Sequence, residues 1–269
     1  MKLQWIGGPT FLLELGSFRV LADPVFGTGD AAFYLRTTRE KASREESDRG
    51  TGLPVTRLTE FPTVNIDTLD LVVVSRMRAD HLDPTAIDRL DKDLTIILPA
   101  GQASALEADG FHRTHQLEWW REAFETKGEE TLTVLAVPVA RPEAGKPAGD
   151  TNGYIIEHAV RDKKYTIYWT GDTLWFPQAR EIKERCGDVD LMIVHLGAVG
   201  AGADDMTTLN GKEAMQFVFM FQPKRLLPIN HSTFSHYTES IDDFRQRIDL
   251  TMYDRRLVLL EEGETFEPK

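Results

Sequence analysis

The stretch LVVVSRMRADHLD, residues 71–83, decides how this chain is read. Four aliphatic residues in a row, Leu71 to Val74, predict a short strand buried on both faces. The chain then turns polar, and Asp83-Pro84 predicts the start of a helix with Asp83 as its N-cap. Between strand and helix lie Asp80 and His81, both metal-ligand types, while the positions that would complete a metal-binding motif hold Arg76 and Arg78. Arginine stays protonated and has no lone pair to donate, so it cannot ligate a cation.

Before this stretch, short apolar runs at residues 3–6, 11–15 and 19–22 alternate with turn residues and predict three strands. A polar excursion follows at about residues 28–65, with a short helix predicted near residues 39–47. After it, strands and helices alternate. Strands are predicted at 95–98, 131–137, 191–196, 226–229 and 257–260, with a hairpin from 154–160 and 165–169. Helices are predicted at 84–90, 102–108, 177–185, 212–221 and 241–248, the fourth of them apolar nearly all round, as a buried or subunit-contact helix is. One internal echo stands out: DLVVVS at 70–75 and DLMIVH at 190–195 each give an acid, an apolar run and a polar residue at the strand end. Strands followed by helices in both halves suggest two packed sheets with helices outside.

Composition narrows the function classes. The chain has 269 residues, 41% hydrophobic and 28% charged, enough for a sizeable core in a single domain spanning 1–269. Its formal charge of −12 argues against nucleic acid and anionic membrane as partners. The one cysteine, Cys186, excludes an internal disulfide and fits a cytoplasmic setting. The start, MKLQWIGGPTFLLELG, is broken by Glu14 and glycines and does not read as a signal peptide. The longest uncharged apolar runs fall short of the ~20 residues a spanning helix needs.

Polar residues cluster where predicted strands end: Asp23, Asp80 and His81, Arg141, Asp172, His195 and His231. Ligand sites in layered α/β proteins form at such ends. At these residues the chain resembles the metallo-β-lactamase-fold hydrolases, of the branch that includes the ascorbate-6-phosphate lactonase-like proteins. The resemblance covers nearly the whole chain and rests on WIGGPTFLLELGSFRVLADPVF, LDLVVVSRMRADHLD, VPVAR, YWTGDT and LLPINHSTFSHYTE. It implies a four-layer αββα sandwich with a two-metal site at one edge, the excursion at 28–65 being a surface insertion. It also implies that Asp80, His81, Asp172 and His231 are the ligands of the second metal. The three histidines of the first metal fall on Arg76, Arg78 and Arg141, so that first site is absent as the family builds it.

Three consequences are open. Asp80, His81, Asp172 and His231 hold one divalent metal, for which zinc, manganese or iron suits the donor types. Or the arginines pair with Asp80 and Asp172, and the site is metal-free. Or Arg76, Arg78 and Arg141 bind an anionic group of a small substrate through their planar forks, which is compatible with either alternative. Two unit charges ~4 Å apart interact by about 4 kcal/mol at an effective dielectric of about 20, so guanidiniums beside a cation weaken its binding. With one metal the chain would be a hydrolase of ester, lactone, amide or phosphoester bonds, with Asp80 or Asp172 orienting water. Without it, the chain would be a catalytically silent scaffold that binds a ligand or partner. His195 is a candidate substitute ligand or general acid, and His236 a candidate pocket residue. His112 and His115, Trp119 and Trp120, and Cys186 carry weaker signals and read as surface, core and inert thiol.

Overall fold

A computed structural model describes residues 1–35, 52–140, 150–200 and 206–268. The sheet strands are β1 (Lys2–Gly7), β2 (Thr10–Leu15), β3 (Phe18–Ala22), β4 (Phe33–Leu35), β5 (Leu53–Val55), β6 (Leu71–Val73), β7 (Thr95–Pro99) and β8 (Arg113–Leu117). They continue with β9 (Glu122–Lys127), β10 (Glu130–Val137), β11 (Gly153–Val160), β12 (Lys163–Trp169), β13 (Leu191–His195), β14 (Arg225–Ile229) and β15 (Thr265–Phe266). The α-helices are α1 (Pro84–Arg89), α2 (Ala103–Ala108), α3 (Ala179–Cys186), α4 (Gly211–Phe221) and α5 (Ile241–Ile248).

Two sheets hold most of these strands. The first runs β15-β1-β2-β3-β6-β7-β8 and the second β14-β13-β12-β11-β10-β9. Alternation along each strand shows how they are layered. Leu71 and Val73 of β6 pack with Leu191 and Ile193 of β13 in one core between the sheets. Val72, on the opposite face of β6, packs with Ala86 and Ile87 of α1 and Leu106 of α2. Met192 and Val194, on the opposite face of β13, pack with Ile182 of α3, Phe217 of α4 and Phe244 of α5. Successive side chains of a strand point to opposite faces, so a run apolar at every position is buried on both. The result is the four-layer αββα sandwich that the sequence predicts.

The parallel strands set where chemistry can gather. β3, β6, β7 and β8 are mutually parallel, as are β12, β13 and β14. Their carboxyl ends therefore present one row of loops from each sheet. The internal echo is structural at the other ends of the strands. Asp70 accepts the backbone N–H of Arg19 at 2.7 Å and pairs with Lys127 at 2.5 Å. Asp190 accepts the N–H of Thr166 at 2.8 Å and pairs with Lys224 at 2.6 Å. Each acid ties the start of a parallel strand to the preceding antiparallel hairpin.

Local chemistry accounts for the element boundaries. Asp83 caps α1 through the N–H of Ala86 at 2.7 Å, with Pro84 at the first helical position. Asn210 and Glu213 form a capping box at the start of α4.

Several expectations change. The predicted last strand at 257–260 is reduced to a single bridge between Leu226 and Leu257, and the chain instead returns to β1 as β15. β9, with its sequence EAFETK, carries no apolar alternation, yet it pairs along β10. Cross-strand backbone pairing, not burial, makes it a strand. In the 28–65 excursion, β4 and β5 pair as a small antiparallel ladder. The helix predicted near 39–47 lies outside the described residues.

α4 buries one face, including Phe217, whose ring meets Tyr168, Trp175 and Phe221. Phe219 on the other face is 51% exposed. Phe217→Ala should therefore cost about 3–5 kcal/mol, and Phe219→Ala under about 1 kcal/mol, in urea unfolding followed by circular dichroism.

Candidate active site

Each sheet contributes one side of the site. From the first come Asp23, just after β3, and Ser75 through Asp83, between β6 and α1. From the second come Asp172, just after β12, His195, the last residue of β13, and His231, just after β14.

Asp23 is fully buried with a backbone φ of 38°. That left-handed conformation is uncommon outside glycine and is tolerated by aspartate better than by most residues. It turns the carboxylate back over the end of β6. There Asp23 accepts the N–H of Ser75 at 2.7 Å, the Ser75 hydroxyl at 2.6 Å and His81 Nδ1 at 2.7 Å. His81 Nε2 faces Asp172 Oδ2 at 2.9 Å. Asp172 follows Gly171, whose φ of 57° brings its Cα so close to the backbone that a Cβ would lie 2.6 Å from the Asn152 carbonyl oxygen. Only glycine fits that approach without displacement. Asp172 Oδ1 faces His195 Nδ1 at 3.1 Å, and the His81 and His195 rings lie nearly parallel, 5.9 Å apart.

The arginines complete the cluster. Arg78 Nε lies 3.1 Å from Asp80 Oδ1, and Arg76 Nη1 lies 3.6 Å from Asp172 Oδ2. Asp80 and Asp172 are both buried. Burial opposes their charge, but Arg78 and His81 hold the Asp80 carboxyl below its usual range. Against the same burial, His81 and His195 hold Asp172 well below it. His81 is also penalised by burial, yet Asp172, Asp23 and Asp80 together raise it to about 10. Three carboxyl groups and four basic side chains thus meet in one largely buried cluster.

A divalent cation fits this donor set. One ligand atom each from Asp80, His81 and Asp172 lie within 4.8 Å of one another. Asp80 Oδ1 is buried and accepts no hydrogen bond among the described residues, its neighbour being the Arg78 ion pair. Asp23 behind His81 Nδ1 supplies the carboxylate that commonly orients a metal-binding histidine.

The remaining candidates fall as follows. The His231 ring lies tilted at 45° to that of Trp5, with centroids 4.8 Å apart, and hydrogen-bonds Ser232 through Nδ1 at 2.9 Å. It does not share the 4.8 Å grouping of Asp80, His81 and Asp172 among the described residues. His236 lies among Phe33, Phe234 and Tyr237 and within electrostatic reach of Asp80, Asp172, Arg78 and His81. Its Nδ1 is buried without a hydrogen-bond partner among the described residues. Arg141 lies outside the described residues. His115 is on β8, at the far edge of the first sheet, and Cys186 is a half-buried thiol raised to about 11 by burial. Asp23 stands among the strand-end polar residues of the sequence, but nothing in ADPVF gives it a role there. Trp169, whose indole reaches His195 at 2.8 Å, reads as core.

Comparison with known proteins bears on the family and the fold. A profile of the beta-lactamase superfamily domain matches residues 19–231, and the chain belongs to that superfamily. The chain is 24% identical over 281 residues to N-acyl-phosphatidylethanolamine-hydrolyzing phospholipase D 1 of Caenorhabditis elegans, spanning 98% of this chain and 74% of that one. It is 22% identical to a metal-dependent hydrolase of Pyrobaculum islandicum, across 98% of this chain and 99% of that one. The solved structure of an isothiocyanate hydrolase from Delia radicum gut bacteria superposes with a TM-score of 0.77 at 18% identity, covering 99% of both chains, a likeness of fold. These proteins are hydrolases by name, and they do not single out the lactonase-like branch. Among the described residues no helix is long and apolar enough to cross a membrane.

Burial pushes His231 and His236 down to about 4. Their unfolded counterparts protonate near 6.5, so both contribute stability that is complete above about pH 6.5 and is lost as pH falls toward 4. Buried His231 accounts for up to about 3 kcal/mol of that loss. Urea midpoints measured from pH 7 to pH 4 should fall steadily, and His231→Asn should flatten the decline.

Proposed function

We propose that this protein is a metal-dependent hydrolase with a single-ion site formed by Asp80, His81 and Asp172, and that Arg76 and Arg78 hold an anionic group of a small substrate. The observation that carries this reading is that one donor atom each from Asp80, His81 and Asp172 lie within 4.8 Å of one another, with Asp23 orienting His81 from behind. Zinc, manganese and iron all accept such an oxygen and nitrogen set. When bound, the ion supplies Lewis acidity toward water and toward the scissile carbonyl or phosphoryl group of an ester, lactone, amide or phosphoester.

The chain's own residues do the rest. Arg78 is partly exposed beside Asp80, so its fork faces both the site and solvent. A carboxylate or phosphate there receives a charge-assisted, planar contact and is held for attack. The Arg76 guanidinium near Asp172 is placed to offset negative charge as it develops on the substrate. His236 is uncharged at neutral pH and lines the same side, where its buried Nδ1 offers one polar contact to a ligand. His231 remains a candidate fourth ligand beyond the three that converge.

A second reading has an observation in its favour. The ion pairs Arg78–Asp80 and Arg76–Asp172, with His81 between Asp23 and Asp172, already match each carboxylate with a cation. A metal-free scaffold that binds a ligand or partner through this cluster follows from that balance.

Elemental analysis of protein purified without added metal separates the two. Near-stoichiometric zinc, manganese or iron, lost in His81→Ala and in Asp172→Ala, supports the hydrolase. No metal after incubation with excess ions, and thermal unfolding indifferent to chelator, supports the scaffold. In the double variant Arg76→His with Arg78→His, we expect tighter metal binding under either reading, read by calorimetry.

A further inference from the structure

His195 is fully buried, and both of its ring nitrogens are engaged. Trp169 Nε1 lies 2.8 Å from His195 Nε2. An indole N–H is a donor only, so Nε2 must be the acceptor and carry the lone pair. The ring proton is then on Nδ1, which donates to Asp172 Oδ1 at 3.1 Å. The backbone N–H of His195 is itself held by Thr170 Oγ1 at 3.2 Å. Trp169 is just as fixed. It is fully buried, with Phe11 edge-on at 5.1 Å and Tyr154 stacked at 5.5 Å, and the Tyr154 hydroxyl donates to the Val74 carbonyl at 2.8 Å.

We infer that His195 is a positioning residue, locked by Trp169 in its Nδ1–H tautomer, which fixes the Asp172 carboxylate so that Oδ2 faces His81 and Arg76. His195 shares a second grouping of donor atoms within 4.8 Å with Asp23 and His81, but its Nε2 lone pair is committed to an indole, which cannot itself turn to a cation as the Asp172 carboxylate opposite His81 Nε2 can, and its Nδ1 proton is committed to a carboxylate. His195 therefore leaves the set of substitute ligands and general acids that its place at a strand end suggests. Its effect reaches the site through Asp172. The arrangement extends inward from the site: Trp169 orients His195, His195 orients Asp172, and the inter-sheet core orients Trp169. The tautomer assignment stands on the two contacts alone. Its consequence for metal binding rests on the reading of Asp172 as a ligand.

Asparagine and glutamine distinguish the two nitrogens. The amide of His195→Asn can donate from close to the Nδ1 position, whereas that of His195→Gln extends toward the Nε2 position. In protein labelled with 15N-histidine and stripped of metal, wild-type His195 should show a protonated Nδ1 and an unprotonated Nε2. The His81 ring resonances, which report where Asp172 sits, should be kept in His195→Asn and displaced in His195→Gln. Manganese affinity by calorimetry should fall about 10–100-fold in His195→Gln and stay within about threefold in His195→Asn, as expected for loss and retention of a group supporting a ligand. Should a His195 variant fail to fold, Trp169→Phe tests the same lock, and its His195 should gain Nε2–H population. A proton on Nε2 in the wild type, or equal displacement of His81 in the Asn and Gln variants, overturns the inference. If the wild type binds no manganese while the His81 pattern holds, the metal reading fails and the positioning role stands. If manganese binds and the pattern is missing, the positioning role fails and the metal reading stands.

Discussion

The imidazole of His81 joins the two halves of this molecule. It reaches Asp23 at the end of the first sheet through one nitrogen and Asp172 at the end of the second through the other. A sandwich of two sheets is held along its length by apolar packing, which has no directional preference at its open end. The charged bridge supplies that direction. It fixes the separation of the two rows of loops, and everything else in the site is referred to it: Ser75 through Asp23, and His195 and Arg76 through Asp172. The left-handed backbone at Asp23 and the glycine before Asp172 are local distortions that this bridge requires. Strain of this kind persists where the surrounding structure over-determines it.

The electrostatics around the bridge are a balance between competitors. Buried carboxylates need cationic partners, and here arginine, imidazolium and a metal ion all qualify. Arginine at positions 76 and 78 gives a permanent, pH-independent partner in place of a dissociable one. An ion entering beside them meets fewer unpaired negative charges than it would among histidines, and its affinity is correspondingly lower.

Much of the fold was legible because strands buried on both faces announce themselves as uninterrupted aliphatic runs. LVVV at β6 and LMIV at β13 place both sheets, and the acids that precede them take matching roles. The capped start of α1 was legible for a similar reason, since Asp83-Pro84 combines two independent helix signals. Elements held by backbone pairing alone were not: β9 is charged, and the run at 257–260 looks like a strand but finds only one bridging partner. At the site, Asp80 and His81 stand together in one short motif, whereas Asp172 was named only through the family resemblance and meets His81 from 91 residues away. The sequence could not give the roles of Asp23 and Trp169, which arise only when strands far apart in the chain are brought together. Nor could it tell that His195 turns inward to Trp169, since a strand-end histidine has the same sequence whether it faces solvent or core.

The matching pairs Asp70–Lys127 and Asp190–Lys224 give the molecule a polarity along its strands. Both sit where parallel strands begin, and the reactive cluster sits where those strands finish. Bracing and chemistry are therefore assigned to opposite poles. Surface ion pairs of this kind are each worth roughly 0–1 kcal/mol, so the bracing pole can be strengthened or relaxed in small increments. Such adjustments leave the reactive pole untouched, and conversely the reactive pole can trade histidine for arginine without loosening the frame. The far pole thus adds bracing in small increments, while the His81 bridge holds the reactive end itself.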